Sequence, residues 1–268
     1  LFERSRLADG PNVPKPYILE PPVAPELERI AAGAPVRPPY IQESGGMLHN
    51  ETPLTGLRGF SVGFTLLGQA APLLDAVIEL LSLSPLQIGA SRFALDRVTG
   101  TAPNERRIWE RGGIRQRAGE QRLGVVRSSG KSLRLSFVTP LRIRGRKGSY
   151  NRNPEEIAAQ FWEAALVRAV RVRDYFCSSG SLGERLPWQD LPPRLPAVVR
   201  RRLFHYQLER LSNRQQRKMD FDGVVGSVWY EGAELEELSP LVYAAEVLHV
   251  GQKATFGLGR VKGAWTTD

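Results

Sequence analysis

A single cysteine, Cys177, in 268 residues excludes an internal disulfide and any cysteine-rich zinc site. Histidine is almost as scarce. Only His49, His205 and His249 carry an imidazole, so a base or acid working near neutral pH has three candidates. Long apolar runs are also missing: the longest, Ala70 to Ala90, is interrupted by Asp75, Glu79 and Pro85, so it cannot cross a bilayer. No charged segment followed by an apolar one opens the chain, so secretion is not signalled and the cytoplasm is the expected place. The acidic residues scatter, apart from Glu231, Glu234, Glu236 and Glu237, which read as a solvated loop rather than a metal site. Neither metal nor cofactor is expected. With 41% hydrophobic and 24% charged residues, the composition is that of a globular protein, which excludes a disordered or fibrous chain.

What the sequence has in excess is positive charge, and it is concentrated. The net charge is +9. Between Arg106 and Lys147, thirteen basic residues face two acidic ones, for +11; between Arg194 and Lys218, eight face one, for +7. The rest of the chain is therefore at −9. Two basic blocks on an otherwise acidic chain point to a polyanion footprint, and so to nucleic acid. Arginine dominates both blocks, and its planar fork fits phosphate oxygens better than lysine does.

Periodicity gives the fold class. In the first half, a short strand is expected near Tyr17 to Leu19, a strand over Leu57 to Leu67, and a helix over Ala70 to Leu83. That helix carries Leu73, Leu74, Val77, Leu80 and Leu81 on its core stripe. A strand over Ser91 to Val98 and a long basic loop around Pro103 to Gly119 follow. From Leu133 to Ile143 the odd positions are apolar apart from Thr139, while even positions include Arg134, Arg142 and Arg144. This reads as a strand with one guanidinium-bearing face, and Pro140 marks an edge or a bulge. Asn153-Pro154-Glu155-Glu156 caps a helix that runs to Cys177. Strands near Phe204 to Arg210 and Val224 to Tyr230, a helix capped by Ser239-Pro240 and running to Val250, and a strand over Phe256 to Ala264 complete the order. The second half thus reads βαββαβ, the ferredoxin-like order, with both helices on one sheet face and the other face free to bind. The class is α+β.

Between the last helix and the last strand lies Gly251-Gln252-Lys253-Ala254-Thr255-Phe256-Gly257-Leu258-Gly259-Arg260. Three glycines allow positive φ, so backbone N–H groups can turn toward an anion, with Lys253 and Arg260 beside them. The spacing is neither a dinucleotide fingerprint nor a nucleotide-triphosphate loop, and a tight helix-to-strand turn would look the same. Together with His249-Val250, this segment resembles the C-terminal glycine-rich signature of the CRISPR repeat-processing endoribonucleases of the RAMP superfamily. Pro14 to Pro22, Phe64 to Ala70, Leu135 to Leu141 and Leu211 to Met219 resemble segments of that family in the same order. The resemblance implies two ferredoxin-like (RRM-like) domains in tandem, residues 1–128 and 129–268, with an RNA-binding cleft between them. It also implies metal-independent cleavage of precursor CRISPR RNA within its repeats, with other CRISPR-associated proteins as possible partners. Family members carry a strand and a helix before the segment matched by Leu1-Phe2-Glu3, so the first domain is expected to be without them here.

Such cleavage needs a base for the ribose 2′-hydroxyl, an acid for the leaving 5′-oxygen, and cations around the phosphorane, leaving a cyclic phosphate and a 5′-hydroxyl. The candidates for proton transfer are His205, beside Tyr206 and after Arg200-Arg201-Arg202; His49, in a glycine-rich loop; and His249, at a helix end next to the glycine turn. Each also has a plain structural reading, as a strand, loop or capping histidine. The candidate RNA contacts are Arg142, Arg144, Arg146, Lys147, Arg201, Arg214, Arg217 and Lys218, with Gly251, Lys253, Gly257, Gly259 and Arg260 of the turn. Two competing readings are a non-catalytic RNA-binding subunit of a CRISPR surveillance complex, and a homomeric scaffold whose basic face meets an acidic protein.

Overall fold

The computed structural model describes residues 14–22, 25–33, 59–88, 91–100, 106–115, 130–145, 153–177, 191–206, 209–212 and 217–266. The alternation from Leu133 produces β8 (Ser132–Leu141), whose Leu133, Leu135, Phe137 and Leu141 are fully buried. Asn153 then starts α3 (Pro154–Phe176): its side-chain oxygen accepts the Glu155 N–H at 3.0 Å, with Pro154 in the first turn. The chain returns through β9 (Ala197–Tyr206), a hairpin of β10 (Glu209–Ser212) and β11 (Arg217–Asp220), and β12 (Gly223–Glu231). It closes with α4 (Glu234–Leu248) and β13 (Val261–Thr266). The four long strands form one antiparallel sheet in the order β13-β8-β12-β9. This is the ferredoxin-like arrangement expected for the second half.

Helices α3 and α4 cover one face of that sheet, where Phe161 stacks on Phe137 and Trp162 meets Tyr230 edge to face. Each such aromatic contributes about 2 kcal/mol by leaving water. The Tyr230 hydroxyl, buried with its ring, donates to the Ala158 carbonyl at 2.7 Å. Burial pushes its ionisation far above the ordinary tyrosine range.

Several boundaries depart from the sequence reading. Pro140 lies in a central strand, not an edge. The lost N–H is tolerated because the β13 ladder stops at Val261–Phe137 and the β12 register slips between Val224 and Gly226, so the expected bulge is present. The Arg200-Arg201-Arg202 run belongs to β9, which starts at Ala197; charges suit it because β9 is an edge strand. Helix α4 starts at Glu234, ahead of Ser239-Pro240, so Glu234, Glu236 and Glu237 form its first turn, where the dipole favours acids. Residues Ala254–Phe256 form a 3-10 turn, and β13 begins only at Val261.

The first half supplies β1 (Tyr17–Glu20), α1 (Pro25–Ala31), β2 (Gly63–Leu66), a 3-10 turn (Gly68–Leu73) and α2 (Leu74–Leu83). Short strands follow: β3 (Leu86–Ile88), β4 (Ser91–Phe93), β5 (Arg97–Gly100), β6 (Arg106–Glu110) and β7 (Ile114–Arg115). The stretch from Ser91 breaks into β4 and β5, in different sheets, and the basic region holds β6 and β7 rather than a single loop. On α2 it is Ile78 that is buried, while Leu80 and Leu81 face solvent. Among the described residues, no helix is long and apolar enough to cross a membrane.

The largest correction concerns the sheet face opposite α3 and α4. It is not free: α1 lies on it, packing Leu27 and Ile30 against Tyr206 and Val225. The carboxyl end of α1 is capped from the sheet. Ser227 Oγ donates to the Ala31 carbonyl at 2.7 Å and Arg202 Nη1 to the Gly33 carbonyl at 2.6 Å. A guanidinium suits the negative end of a helix, so Arg202 has a structural task here.

Candidate nucleic-acid interface

Three strand ends meet at one edge of the sheet. Beyond β8, Arg142 turns inward, and its side chain is 1% exposed. Its guanidinium pairs with Asp222 Oδ1 and donates to the carbonyls of Asp220 and Asp222, each at 3.0 Å. The other Asp222 oxygen, Oδ2, lies 3.5 Å from His205 Nε2 on β9. One carboxylate, placed just before β12, therefore links a buried arginine to a histidine whose side chain is 28% exposed. His205 Nε2 itself is buried, so the exposed surface lies elsewhere on the side chain.

The glycine turn is built against this cluster. Gln252 N–H donates to the Arg142 carbonyl at 2.9 Å, and Gly251 abuts the same oxygen. Lys253 folds back so that its ammonium donates to the Asp220 carbonyl and lies 4.3 Å from the Phe221 ring centroid. Burial, then the Arg142 guanidinium, lowers the Lys253 pKa, with Asp220 and Asp222 opposing. Phe256 from the turn stacks edge to face on Phe221. The Arg-bearing strand and the glycine turn thus occupy the same side of the molecule.

The glycines themselves serve packing. At Gly257 (φ +83°) a Cβ would lie 2.7 Å from the Leu19 carbonyl and 2.5 Å from Pro21, so the turn fits flush against the end of β1. At Gly259 (φ +69°) it would lie 1.8 Å from the Val250 carbonyl. The N–H groups of Gln252, Phe256, Gly257 and Gly259 all donate within the protein. These four do not turn toward an anion, contrary to the reading of the turn as a cradle.

His249 is also structural. It is fully buried, with Nδ1 3.2 Å from the Leu258 carbonyl and Nε2 3.3 Å from Glu20 Oε1, so it ties the turn to β1 and cannot present a proton to a solvent-borne strand. Arg260 lies 3.4 Å from the other Glu20 oxygen. The hydrogen bond to His249, with Arg260 adding charge, holds the Glu20 carboxyl below its ordinary range although burial opposes this. Because the folded value is the lower one, this contact stabilises the fold at neutral pH. That stability is lost as pH falls from about 4.5 through the depressed value. In acid titrations of unfolding, Glu20→Gln should flatten that limb; an unchanged limb would remove Glu20 from the account.

The remaining candidates are distributed as follows. Arg144 is exposed just past Arg142, and Arg201 pairs with Glu155 of α3. Arg217 and Lys218 lie on β11, opposite Ser212 and Leu211. His49, Arg146, Lys147 and Arg214 lie outside the described residues. Arg142 is not a surface phosphate contact, since its guanidinium is spent inside the protein. Asp222 and Glu20, which organise the cluster and the turn, were missing from the sequence reading. The Asp220-Phe221-Asp222-Gly223 string, with two acids flanking an aromatic before a strand, was the one available signal for the first.

Residues 135–261 match the model of the family described as CRISPR-associated endoribonuclease Cas6. No curated protein matches the chain. Among solved structures, a product complex of the Thermus thermophilus Cas6 protein TTHB231 is 18% identical, covers 97% of this chain and 85% of its own, and superposes with a TM-score of 0.54. That likeness extends the fold over both halves of the chain. A product complex of Cas6 TTHA0078 is 21% identical over 77% of this chain and 82% of its own, with a TM-score of 0.46. A partial Cas6-RT-Cas1–Cas2 complex is 15% identical over 52% of this chain and 23% of its own, with a TM-score of 0.36. The matched segment runs from β8 to the first residue of β13 and includes His205, Asp222 and the whole glycine turn; over these residues the chain is similar to the CRISPR-associated Cas6 family.

Proposed function

We propose that this chain is an endoribonuclease that binds CRISPR repeat RNA and cuts the precursor within each repeat, working alongside other CRISPR-associated proteins. The observation that carries this reading is the meeting of His205–Asp222, Lys253 and exposed Arg144 at one sheet edge, inside the family-matched segment. From that same edge the β10–β11 hairpin extends, bringing the backbone of Arg217 and Lys218.

Asp222 places a carboxylate oxygen 3.5 Å from the buried Nε2 of His205, within ion-pair reach, which leaves the second ring nitrogen, Nδ1, as the one that must act. Nδ1 then takes a proton from the ribose 2′-hydroxyl or gives one to the leaving 5′-oxygen. Attack of the 2′-oxygen on the adjacent phosphorus gives a cyclic phosphate and a 5′-hydroxyl, and no metal is needed for that step. Neighbouring guanidinium and ammonium groups stabilise the phosphorane. His49 is the second candidate for proton transfer.

The test is single-turnover cleavage of repeat RNA in EDTA. The wild-type chain should leave a cyclic phosphate, and His205→Ala should lower the rate about a hundredfold with affinity within about threefold. If His205→Ala and His49→Ala both cut at the wild-type rate, the catalytic assignment fails. Tight, salt-sensitive binding with no cleavage by any form would instead establish the non-catalytic RNA-binding subunit.

A further inference from the structure

Past the carboxyl end of α1, on the same face of the large sheet, one row of side chains crosses three strands in register. Arg200 of β9 pairs with Trp229 of β12, and Trp229 pairs with Arg134 of β8. Partners in register project from one face, so the three side chains share a surface. The Arg200 guanidinium carbon lies 4.8 Å from the Trp229 ring centroid, close enough for a cation–π contact. Lys262 of β13 sits opposite Ser136, two residues along β8 from Arg134, so its exposed ammonium borders the row. Arg200 is exposed, and Trp229 and Arg134 are half-buried. Glu231, exposed at the end of β12, is the acidic neighbour along that strand, and Glu20 and Glu246 lie within electrostatic reach of Lys262.

An indole serving only the core would be covered, as Trp162 is at 1% exposure. Here the residue is only partly covered, carries a guanidinium over its ring and is flanked by cations on the neighbouring strands. Unpaired nucleotides bind on such surfaces: bases stack on aromatic faces or on guanidinium planes, while adjacent cations hold the phosphates. The geometry points to a second RNA contact, in which one unpaired base continues the Arg200–Trp229 stack and its phosphate is held by Lys262, beside an Arg134 guanidinium whose Nη1 also reaches the Ala32 carbonyl at 3.5 Å. The row lies about 23 Å along β12 from Asp222, at 3.3 Å per residue. It would therefore grip single-stranded RNA away from the cut, and in this it rests on the RNA-binding reading above.

The test uses the full chain and a fluorescein-labelled oligouridine, followed by anisotropy. Trp229→Leu keeps an apolar side chain but removes the ring, and should weaken binding about tenfold, whereas Trp229→Phe should stay within about threefold. Oligouridine should quench tryptophan emission of the wild-type chain, and Trp229→Phe should lose that quench. Arg200→Gln, at an exposed position that leaves the core intact, should reduce the slope of log affinity against log salt by about 0.7. If Trp229→Leu and Arg200→Gln bind oligouridine as the wild type does while repeat RNA is still bound and cut, the platform is wrong and the nuclease reading stands. If the wild-type chain binds neither oligouridine nor repeat RNA, both are wrong.

Discussion

Replacing Asp222 with alanine should lower the unfolding free energy by about 3–5 kcal/mol, because the Arg142 guanidinium would be left buried without its counter-charge. That is a large share of the roughly 5–15 kcal/mol that holds a typical domain folded. The geometry leaves little room for rescue. Arg142 is 1% exposed, so water cannot replace the carboxylate, and the two carbonyls it also touches are neutral. Asp222→Asn keeps an acceptor of nearly the same shape and should cost less than the alanine. A double variant, Arg142→Met with Asp222→Leu, should recover part of the loss, since removing both charges also removes their desolvation. Urea unfolding of the four proteins checks the series. An Asp222→Ala midpoint equal to the wild type would mean that Arg142 finds another partner. The variant also frees His205 Nε2, so the cleavage rate of the surviving folded protein should fall with it.

The two basic blocks show how far sequence reading reaches. Alternation along β8 identified its inner face correctly, because Leu133, Leu135, Phe137 and Leu141 repeat with the period of a strand. The outer face was read as solvent-facing arginine, and there local pattern fails. Arg142 is drawn inside by a carboxylate eighty positions away in sequence, and Arg202 is taken up by the carbonyl end of α1. Helix α1 is itself invisible to periodicity: seven residues, Pro25–Ala31, span two turns, too few to show a repeat or to be stable alone. It exists because Leu27 and Ile30 find Tyr206 and Val225 on the sheet. His249 was misread for the same reason, since its partner Glu20 lies on β1, at the other end of the chain. Charge counts located the basic blocks, but only the tertiary partners separate arginines that build the protein from those that face outward.

Gly259→Ala should cost about 3 kcal/mol, part of it the 1–2 kcal/mol penalty of a left-handed residue bearing a Cβ and the rest the hydrogen bonds it displaces. The added carbon would lie 1.8 Å from the Val250 carbonyl, a backbone atom that cannot rotate away. Relief requires opening the base of the turn, which is closed by Val250 N–H to the Gly259 carbonyl at 2.9 Å and Gly259 N–H to the Pro140 carbonyl at 3.0 Å. Gly112 provides the control. Its φ is +94°, yet nothing lies within 4 Å of a Cβ built there, so Gly112→Ala should cost only about 1 kcal/mol, the conformational part alone. The difference between the two variants therefore measures the packing of the turn rather than the chirality of a residue. Losing that packing also releases Gly257 from the end of β1 and Lys253 from Asp220, so Gly259→Ala should weaken repeat-RNA binding while Gly112→Ala leaves it intact. Equal losses of stability in both variants would show that the turn tolerates opening, and the register it imposes between β1, the Arg142–Asp222 pair and the last strand would have to come from elsewhere.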